Sequence, residues 1–228
     1  MNNGNILLLL RKKDFYSDNL ATYVKKIYKN VTIFYSSKIN EKVNKNFLKT
    51  KDGYYDYIYS FRSYLILKKA DLKKAGIAAI NFHPGPVNYR GFGPANFAIY
   101  KKDTKYGITA HLMKKKIDFG SVIDLQEFKI SQNENINKLL QKTHIKLLKQ
   151  AKQVISLIYK DKRNLEKMII KNKKIKWSED IYTFKKLNKL YEINLDNPKE
   201  DIIKKIKATL TPKHRPYIKV NNKKYFIN

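Results

Sequence analysis

The chain contains no cysteine. Disulfide frameworks and thiolate metal sites are therefore excluded, and the composition is compatible with a reducing compartment. The apolar run at residues 6–10 has no basic stretch before it and is too short for a signal sequence or a membrane span. We therefore expect a cytoplasmic protein without a membrane segment.

Glycine is scarce, with eight residues in the whole chain. None of them stands in the turn after the first apolar run, which consists of residues 11–14. A dinucleotide-binding fold needs a glycine-rich turn there, so that the backbone can approach the pyrophosphate closely. A nicotinamide or flavin enzyme is therefore disfavoured.

Acidic residues are also few, because 19 Asp and Glu stand against 49 Lys and Arg, for a formal net charge of +30. Such a charge suits a nucleic-acid or anionic-membrane surface. The excess is mostly lysine and is scattered along the chain, and lysine reads bases less well than arginine does. We interpret it as a solvated basic surface that attracts phosphorylated or carboxylated small substrates, and we disfavour nucleic-acid binding.

The order of apolar segments predicts an α/β fold. Alternating strands and helices indicate a doubly wound, Rossmann-like, mostly parallel sheet. The predicted strands cover residues 6–10, 31–35, 57–61, 77–82, 107–113 and 122–128. The predicted helices cover residues 18–28, with Asp18 as the cap, then 68–74, 94–100, 201–209 and a long amphipathic stretch at 136–158.

A change of composition at residue 161 predicts a boundary. Residues 1–160 form the predicted main domain, and the shorter Lys- and Asn-rich segments of residues 161–228 form a C-terminal extension. Two strands at residues 217–220 and 223–227 flank Asn221 and Asn222, which indicates a β-hairpin. A lone hairpin is only marginally stable in water, so we expect it to pack on the main domain or on another subunit.

The residues around Asn81 and His83 carry the strongest chemical signal. An apolar run stops there at a Pro-Gly-Pro turn, which is how a buried strand delivers polar side chains to a cleft. Asn81 and His83 are two residues apart and point to the same side, and the strand order could bring Asp118 beside them. An amide donor, an imidazole and a carboxylate suit acyl transfer to an amine. Since no nucleophilic Ser or Cys is evident, direct attack by the amine is preferred.

Other polar and aromatic residues have weaker interpretations. His83, His111 and two carboxylates lack the spacing of zinc ligands, so no metal is expected. His144 lies on the apolar stripe of the long helix and is interpreted as a core or boundary residue. Trp177 and the pair Tyr182 and Phe184 either stack on a base or pack the C-terminal segment, and packing is the more frequent use of such side chains.

Several motifs together resemble the 10-formyltetrahydrofolate-dependent formyltransferases. They are Asn81-Phe82-His83-Pro84-Gly85-Pro86, Tyr89-Arg90-Gly91, Gly93-Pro94, residues 107–113 and Asp118-Phe119-Gly120. The resemblance covers roughly residues 57–128 and implies that Asn81, His83 and Asp118 are catalytic. On this resemblance, Asn81 and a protonated His83 stabilise the developing oxyanion while Asp118 supports His83.

The resemblance also implies binding residues for the two substrates. The 10-formyltetrahydrofolate site would comprise Phe61, Arg62, Tyr64, Leu65, Ile66, Leu67, Ile117 and Gly120. The acceptor site would comprise Pro86, Tyr89, Arg90 and Gly91. For Arg90 a second interpretation stays open, because a Tyr-Arg-Gly turn can simply close the loop.

The end of the chain bears on which family member it resembles. Methionyl-tRNA formyltransferases carry a C-terminal barrel for which the extension is too short, and glycinamide ribonucleotide formyltransferases end with the α/β domain. The tail and hairpin resemble those of sugar N-formyltransferases. This resemblance implies a homodimer that formylates a nucleotide-linked, dTDP-activated 4-amino-4,6-dideoxy sugar for O-antigen synthesis. The alternatives are a methionyl-tRNA formyltransferase-like enzyme and a non-catalytic RNA-binding protein on the same scaffold.

Overall fold

The computed structural model describes residues 2–39, 41, 45–48 and 54–227. Within these residues the strands are β1 (Asn2–Arg11), β2 (Tyr28–Ser36), β3 (Tyr55–Phe61), β4 (Ala75–His83), β5 (Arg90–Gly91), β6 (Lys105–Leu112), β7 (Val122–Lys129), β8 (Ile181–Tyr182), β9 (Glu192–Ile193), β10 (Tyr217–Val220) and β11 (Lys223–Phe226). The α-helices are α1 (Phe15–Ile27), α2 (Lys69–Leu72), α3 (Pro94–Tyr100), α4 (Ile136–Lys160), α5 (Arg163–Lys171), α6 (Phe184–Tyr191) and α7 (Lys199–Thr209), and residues Lys45–Leu48 form a 3-10 turn.

A six-stranded sheet in the order β2-β1-β3-β4-β6-β7 forms the centre of the fold. Strands β2, β1, β3 and β4 are mutually parallel, whereas β6 runs antiparallel to both β4 and β7. The five apolar residues at positions 6–10 are all fully buried, as expected for a strand covered on both faces. The predicted α/β class and mostly parallel sheet are confirmed.

Helix α4 covers one face of this sheet with its apolar stripe. Leu147, Ala151, Val154 and Ile155 pack in the same cluster as the buried residues of β1, β3 and β4. The predicted long amphipathic helix is confirmed, and it runs two residues beyond the predicted end. Its N-cap is Asn135, whose side chain accepts the backbone N–H of Lys138.

The start of helix α1 differs from the prediction. Asp14, rather than Asp18, is the N-cap, since its carboxylate accepts the backbone N–H of Ser17 and its backbone is extended. Asp18 lies in the first turn, where a negative charge is favourable, and it accepts a hydrogen bond from the Tyr35 hydroxyl. The helix therefore begins three residues earlier than predicted.

The extension after α4 contains several elements that the sequence did not predict. Helices α5 and α6 are short, and each buries a single side chain, Leu165 and Leu190 respectively. Strands β8 and β9 have two residues each and are defined by their pairing partners, β5 and β10. The domain boundary near residue 160 stays a prediction; it coincides with the C-terminal end of α4.

The C-terminal hairpin forms as predicted. Strands β10 and β11 pair around Asn221 and Asn222, which both have positive φ angles, 45° and 63°. Strand β10 also pairs with β9, which completes a three-stranded sheet. Among the described residues, none of the helices has the length and apolar character needed to cross a bilayer.

Candidate active site

The site lies where strands β4 and β6 run side by side. Asn81 and His83 are the last two alternate residues of β4, and the antiparallel register places His111 opposite Asn81. Asp118 follows in the loop after β6, with a left-handed backbone (φ 45°). We call residues 113–121, which join β6 to β7, the catalytic loop. The fold thus brings all three predicted catalytic residues together.

Short distances connect these four side chains. Asp118 Oδ2 lies 3.4 Å from His83 Nδ1, and Asp118 Oδ1 lies 3.3 Å from His111 Nε2. Asn81 Nδ2 lies 3.3 Å from Asp118 Oδ1 and 3.2 Å from His111 Nε2. His111 is a member of the site that the sequence considered only as a zinc ligand. The sequence could have indicated this role only through the position of His111 opposite Asn81. That position follows only when the pairing of β4 with β6 is known.

His83 is held as a neutral imidazole with a defined tautomer. Its Nε2 donates a hydrogen bond of 2.8 Å to the Tyr89 carbonyl oxygen, which can only accept. The remaining nitrogen, Nδ1, is therefore the one that can take up a proton. Burial lowers the pKa of His83, and the opposing effect of Asp118 does not overcome it. At neutral pH the resting imidazole is uncharged.

Asp118 is ionised despite its burial. Burial alone would raise the pKa of its carboxyl group, but His83, His111 and the backbone N–H of Gly91 stabilise the carboxylate, and the pKa falls well below the usual range. The Gly91 hydrogen bond to Oδ2 measures 3.0 Å. The site therefore combines a fixed negative charge with a neutral imidazole.

The amide of Asn81 is held between the catalytic loop and strand β6. Its Nδ2 lies within hydrogen-bond reach of both Asp118 Oδ1 and His111 Nε2. These contacts fix the orientation of the amide, which is the side chain of the site that can donate to a developing oxyanion.

A cavity of about 350 Å³ opens beside these residues. Of the predicted folate residues, Arg62, Tyr64, Leu65, Ile66, Leu67 and Ile117 line it, together with Asn81, His83, Asp118 and Gly91. Phe61 instead lies in the hydrophobic core. Pro86, Tyr89, Arg90 and Gly120 are likewise not among the residues that line this cavity.

Tyr89 and Arg90 make contacts within the protein. The Tyr89 hydroxyl donates to Asp103 Oδ2 at 2.6 Å, and its carbonyl orients His83. The Arg90 side chain is 1% exposed and donates to four backbone carbonyl oxygens, those of Ile117, Asp118, Ser178 and Glu179. These contacts correspond to the loop-closing interpretation of Arg90.

Two glycines are required by close approaches at the site. A Cβ atom on Gly120 would lie 1.6 Å from the Leu112 carbonyl oxygen, so only glycine lets the catalytic loop pass so near β6. A Cβ atom on Gly85 would lie 2.7 Å from His83 Nε2. The Pro-Gly-Pro turn therefore leaves room for the imidazole.

Trp177 is a site residue that the sequence did not place. It is the only tryptophan of the chain, is 9% exposed, and donates its indole N–H to the Gly120 carbonyl oxygen at 2.7 Å. Its ring meets the His111 and His83 rings edge-on, at centroid distances of 4.9 and 5.8 Å. No local motif marks this contact, because it joins residues 57 positions apart.

Positively charged side chains line the cavity. They are Arg11, Arg62, Lys114 and Lys115. Arg62 is paired with Asp14 through two hydrogen bonds of 2.9 and 3.0 Å.

His144 is half-buried and lines the same cavity, where burial and the neighbouring Arg62 lower its pKa to about 3. Within the described residues no three His, Asp or Glu side chains are arranged to hold a metal ion.

Two curated proteins illustrate the sequence similarity. The bifunctional polymyxin resistance protein ArnA of Wigglesworthia glossinidia brevipalpis is 28% identical over 141 residues, 61% of this chain and 21% of that protein. The methionyl-tRNA formyltransferase of Mycoplasma mycoides subsp. mycoides is 31% identical over 159 residues, 68% of this chain and 47% of that protein. The chain thus spans less than half of the length of either relative.

Solved structures share the fold over nearly the whole chain. A 4-N formyltransferase from Francisella tularensis aligns with a TM-score of 0.71 and 22% identity, over 98% of this chain and 96% of the other. An N-formyltransferase from Helicobacter canadensis, crystallised with folinic acid and dTDP-3-aminofucose, aligns with a TM-score of 0.68 and 18% identity, over 96% and 85%. The model of the formyl transferase family matches residues 2–157, more than half of the chain. The chain therefore belongs to the formyl transferase family.

Proposed function

We propose that this protein transfers a formyl group from 10-formyltetrahydrofolate to the amine of a nucleotide-linked sugar. The observation that carries the proposal is the group Asn81, His83 and Asp118 at the wall of one cavity, where Asp118 Oδ2 lies 3.4 Å from His83 Nδ1 and Asp118 Oδ1 lies 3.3 Å from the Asn81 amide nitrogen. An oxyanion donor beside a neutral base is what acyl transfer to an amine requires. Membership in the formyl transferase family supports the same reaction.

The cavity wall fits a folate. Ile66 and Ile117 are 51% and 38% exposed although both are apolar and line the cavity, so a flat ring system would cover them. The backbone N–H groups of Ile66 and Leu67 donate to no protein acceptor among the described residues, and they are available to the polar edge of such a ring. The folinic acid complex of the Helicobacter canadensis protein supports this choice of formyl donor.

Each catalytic side chain has a separate task in the proposed mechanism. The formyl donor supplies an electrophilic carbon. Asn81 donates an amide N–H to the formyl oxygen as negative charge develops there. His83 accepts the proton of the attacking amine at Nδ1, and the Asp118 carboxylate stabilises the imidazolium that results. The tetrahedral intermediate then collapses, the bond between the formyl carbon and N10 of the folate breaks, and the imidazolium returns the proton to N10. A neutral His83 before reaction differs from the sequence-based expectation of a protonated ring, and the lowering of its pKa by burial supports the difference.

A sugar amine is the acceptor that the whole chain supports best. The structural similarity extends through the C-terminal extension and includes proteins described as a sugar N-formyltransferase and a sugar 3N-formyl transferase. Arg11, Lys114 and Lys115 provide positive charge at the cavity for the diphosphate of a nucleotide-linked sugar. We propose a dTDP-linked 4-amino-4,6-dideoxy sugar, made in the cytoplasm for O-antigen synthesis.

We further propose that the hairpin contributes to a homodimer. Val220 and Tyr225 lie on one face of the hairpin and Phe226 on the other, and each is at least half exposed, so both faces present apolar side chains that a second copy could cover. Replacement of Tyr225 and Phe226 by serine should shift the protein from dimer to monomer in sedimentation experiments. An unchanged dimer would remove the hairpin from the interface.

The acceptor is identified by mass spectrometry. The protein is incubated with 10-formyltetrahydrofolate and a panel of dTDP- and UDP-linked amino sugars, and the expected product carries one additional formyl group on a dTDP-linked sugar. Initiator methionyl-tRNA in a parallel reaction tests the alternative enzyme. Steeply salt-dependent RNA binding without turnover would replace both proposals with the non-catalytic one.

A further inference from the structure

A short segment of the extension lies across the catalytic loop. We call residues 176–180, between α5 and β8, the strap. The Ser178 N–H donates to the Val87 carbonyl oxygen at 3.0 Å, and the two residues of β8 that follow pair with β5. The strap lies outside residues 2–157, the part of the chain that matches the family model.

Arg90 joins the strap to the catalytic loop. Its Nη1 donates to the Ser178 and Glu179 carbonyl oxygens, at 2.9 and 3.0 Å. Its Nε and Nη2 donate to the Asp118 and Ile117 carbonyl oxygens, both at 2.9 Å. No salt bridge of Arg90 is found in the described part of the chain, and these carbonyl groups and the Phe119 ring, whose centroid lies 4.6 Å from Arg90 Cζ, compensate its buried charge. The guanidinium therefore holds two segments at a fixed separation.

Trp177 makes the second connection. Its indole N–H reaches the Gly120 carbonyl oxygen, two residues after Asp118. The same ring lies against His83 and His111, the two imidazoles that face the Asp118 carboxylate. Trp177 thus contacts both imidazoles that face Asp118 and the loop that carries Asp118.

We propose that Trp177 is a positioning residue and that the strap fastens the catalytic loop so that Asp118 stays in place against His83. The kinetic part of this inference rests on the proposed function, whereas the fastening of the loop does not. Reacting groups that move by about 1 Å can lose on the order of 10²-fold in rate. The extension would then complete an active site whose reacting groups all come from the family domain.

The test compares Trp177→Phe with Leu165→Ala. Trp177→Phe keeps an aromatic ring and removes the indole donor to Gly120. Leu165 is buried on α5 in the main core cluster and does not line the cavity, so Leu165→Ala is a matched control that weakens the extension elsewhere. Thermal unfolding of both variants shows that each is folded.

Two measurements decide the outcome. Amide exchange by NMR follows Gly91 and Leu112, whose N–H groups donate to Asp118 Oδ2 and to the Ser121 carbonyl oxygen of the loop. Kinetics separate kcat from KM. Trp177→Phe should raise exchange at both amides about tenfold relative to α4 amides and lower kcat by about 10- to 100-fold, with a smaller change in KM for the formyl donor. Leu165→Ala should show neither effect.

Several outcomes would overturn the inference. Unchanged exchange at Gly91 and Leu112 in Trp177→Phe would show that the strap does not fasten the loop. Faster exchange with an unchanged kcat, or an equal loss of kcat in Leu165→Ala, would leave Trp177 a purely structural residue. If the wild-type protein formylates no acceptor, the proposed function fails, and the exchange data still decide whether the strap holds the loop.

Discussion

The family domain and the extension contribute to the site in different ways. In residues 2–157, Asn81, His83 and His111 sit on paired strands of a regular sheet whose geometry fixes them. The extension consists of short elements, of which α5 and α6 each bury one side chain. It nevertheless supplies Trp177 and two of the four carbonyl oxygens that hold Arg90. The comparison indicates that reacting groups come from the sheet and that their alignment depends on the extension.

The largest expected effect is a loss of activity when a site residue on the sheet is replaced. A histidine of the extension provides the comparison. His83→Ala removes the proposed base, so kcat/KM for formyl transfer should fall by about 10²- to 10⁴-fold. Asn81→Ala removes the oxyanion donor and should cost about 10²- to 10³-fold. His214→Ala, at an exposed position in the extension, is the matched control and should keep wild-type activity. Substantial formylation by His83→Ala would refute the role of His83.

A glycine substitution tests the junction between the two regions. Gly120→Ala places a methyl group against the Leu112 carbonyl oxygen, so the loop must move away from both β6 and Trp177. We expect the free energy of unfolding to fall by roughly 3 kcal/mol, with most activity lost. Gly76→Ala is the control. The atom nearest to its new Cβ atom is a side-chain carbon of Tyr54 at 3.0 Å, and because that side chain can adjust, we expect a smaller loss in the free energy of unfolding. Equal losses in denaturant unfolding would contradict this account of Gly120.

The difference between the sheet and the extension also explains which features could be predicted from the sequence. The sheet strands and helix α4 followed from apolar periodicity, and the common side of Asn81 and His83 followed from the polar strand end. The place of Asp118 beside them was implied by the family resemblance, and the distances agree with it. Trp177 did not follow, because its contacts depend on how a segment without strong periodicity folds back over the loop. Arg90 stayed ambiguous for a similar reason, since its acceptors are backbone carbonyl groups that carry no sequence signal.

Substitutions of two arginine residues test where the protein binds the negative charge of its substrate. Arg11 lines the cavity, whereas Arg163 is exposed on α5 and pairs with Asp161. Arg11→Gln should raise KM for an anionic substrate about tenfold, which corresponds to roughly 1.4 kcal/mol of binding free energy. Arg163→Gln should leave KM unchanged. An equal change in both variants would indicate a general effect of net charge rather than recognition at the cavity.

The pH dependence of stability provides a separate test, which concerns a histidine outside the catalytic group. Burial lowers the pKa of His144 from 6.5 to about 3, so the unfolded chain takes up a proton there before the folded protein does. This residue therefore causes stability to be lost as the pH falls from 6.5 towards 3. His144→Asn should make the fall shallower by up to about 1.4 kcal/mol per pH unit in urea unfolding. Identical slopes would show that His144 does not titrate this way.

One competition experiment tests the central proposal most directly. The wild-type protein receives 10-formyltetrahydrofolate together with a dTDP-linked amino sugar and initiator methionyl-tRNA, and mass spectrometry locates the transferred formyl group. The predicted result is formylation of the sugar amine, with the signal lost in His83→Ala and reduced in Trp177→Phe. Formylation of the tRNA alone, or sugar formylation that persists in His83→Ala, would contradict the proposed function or the proposed site.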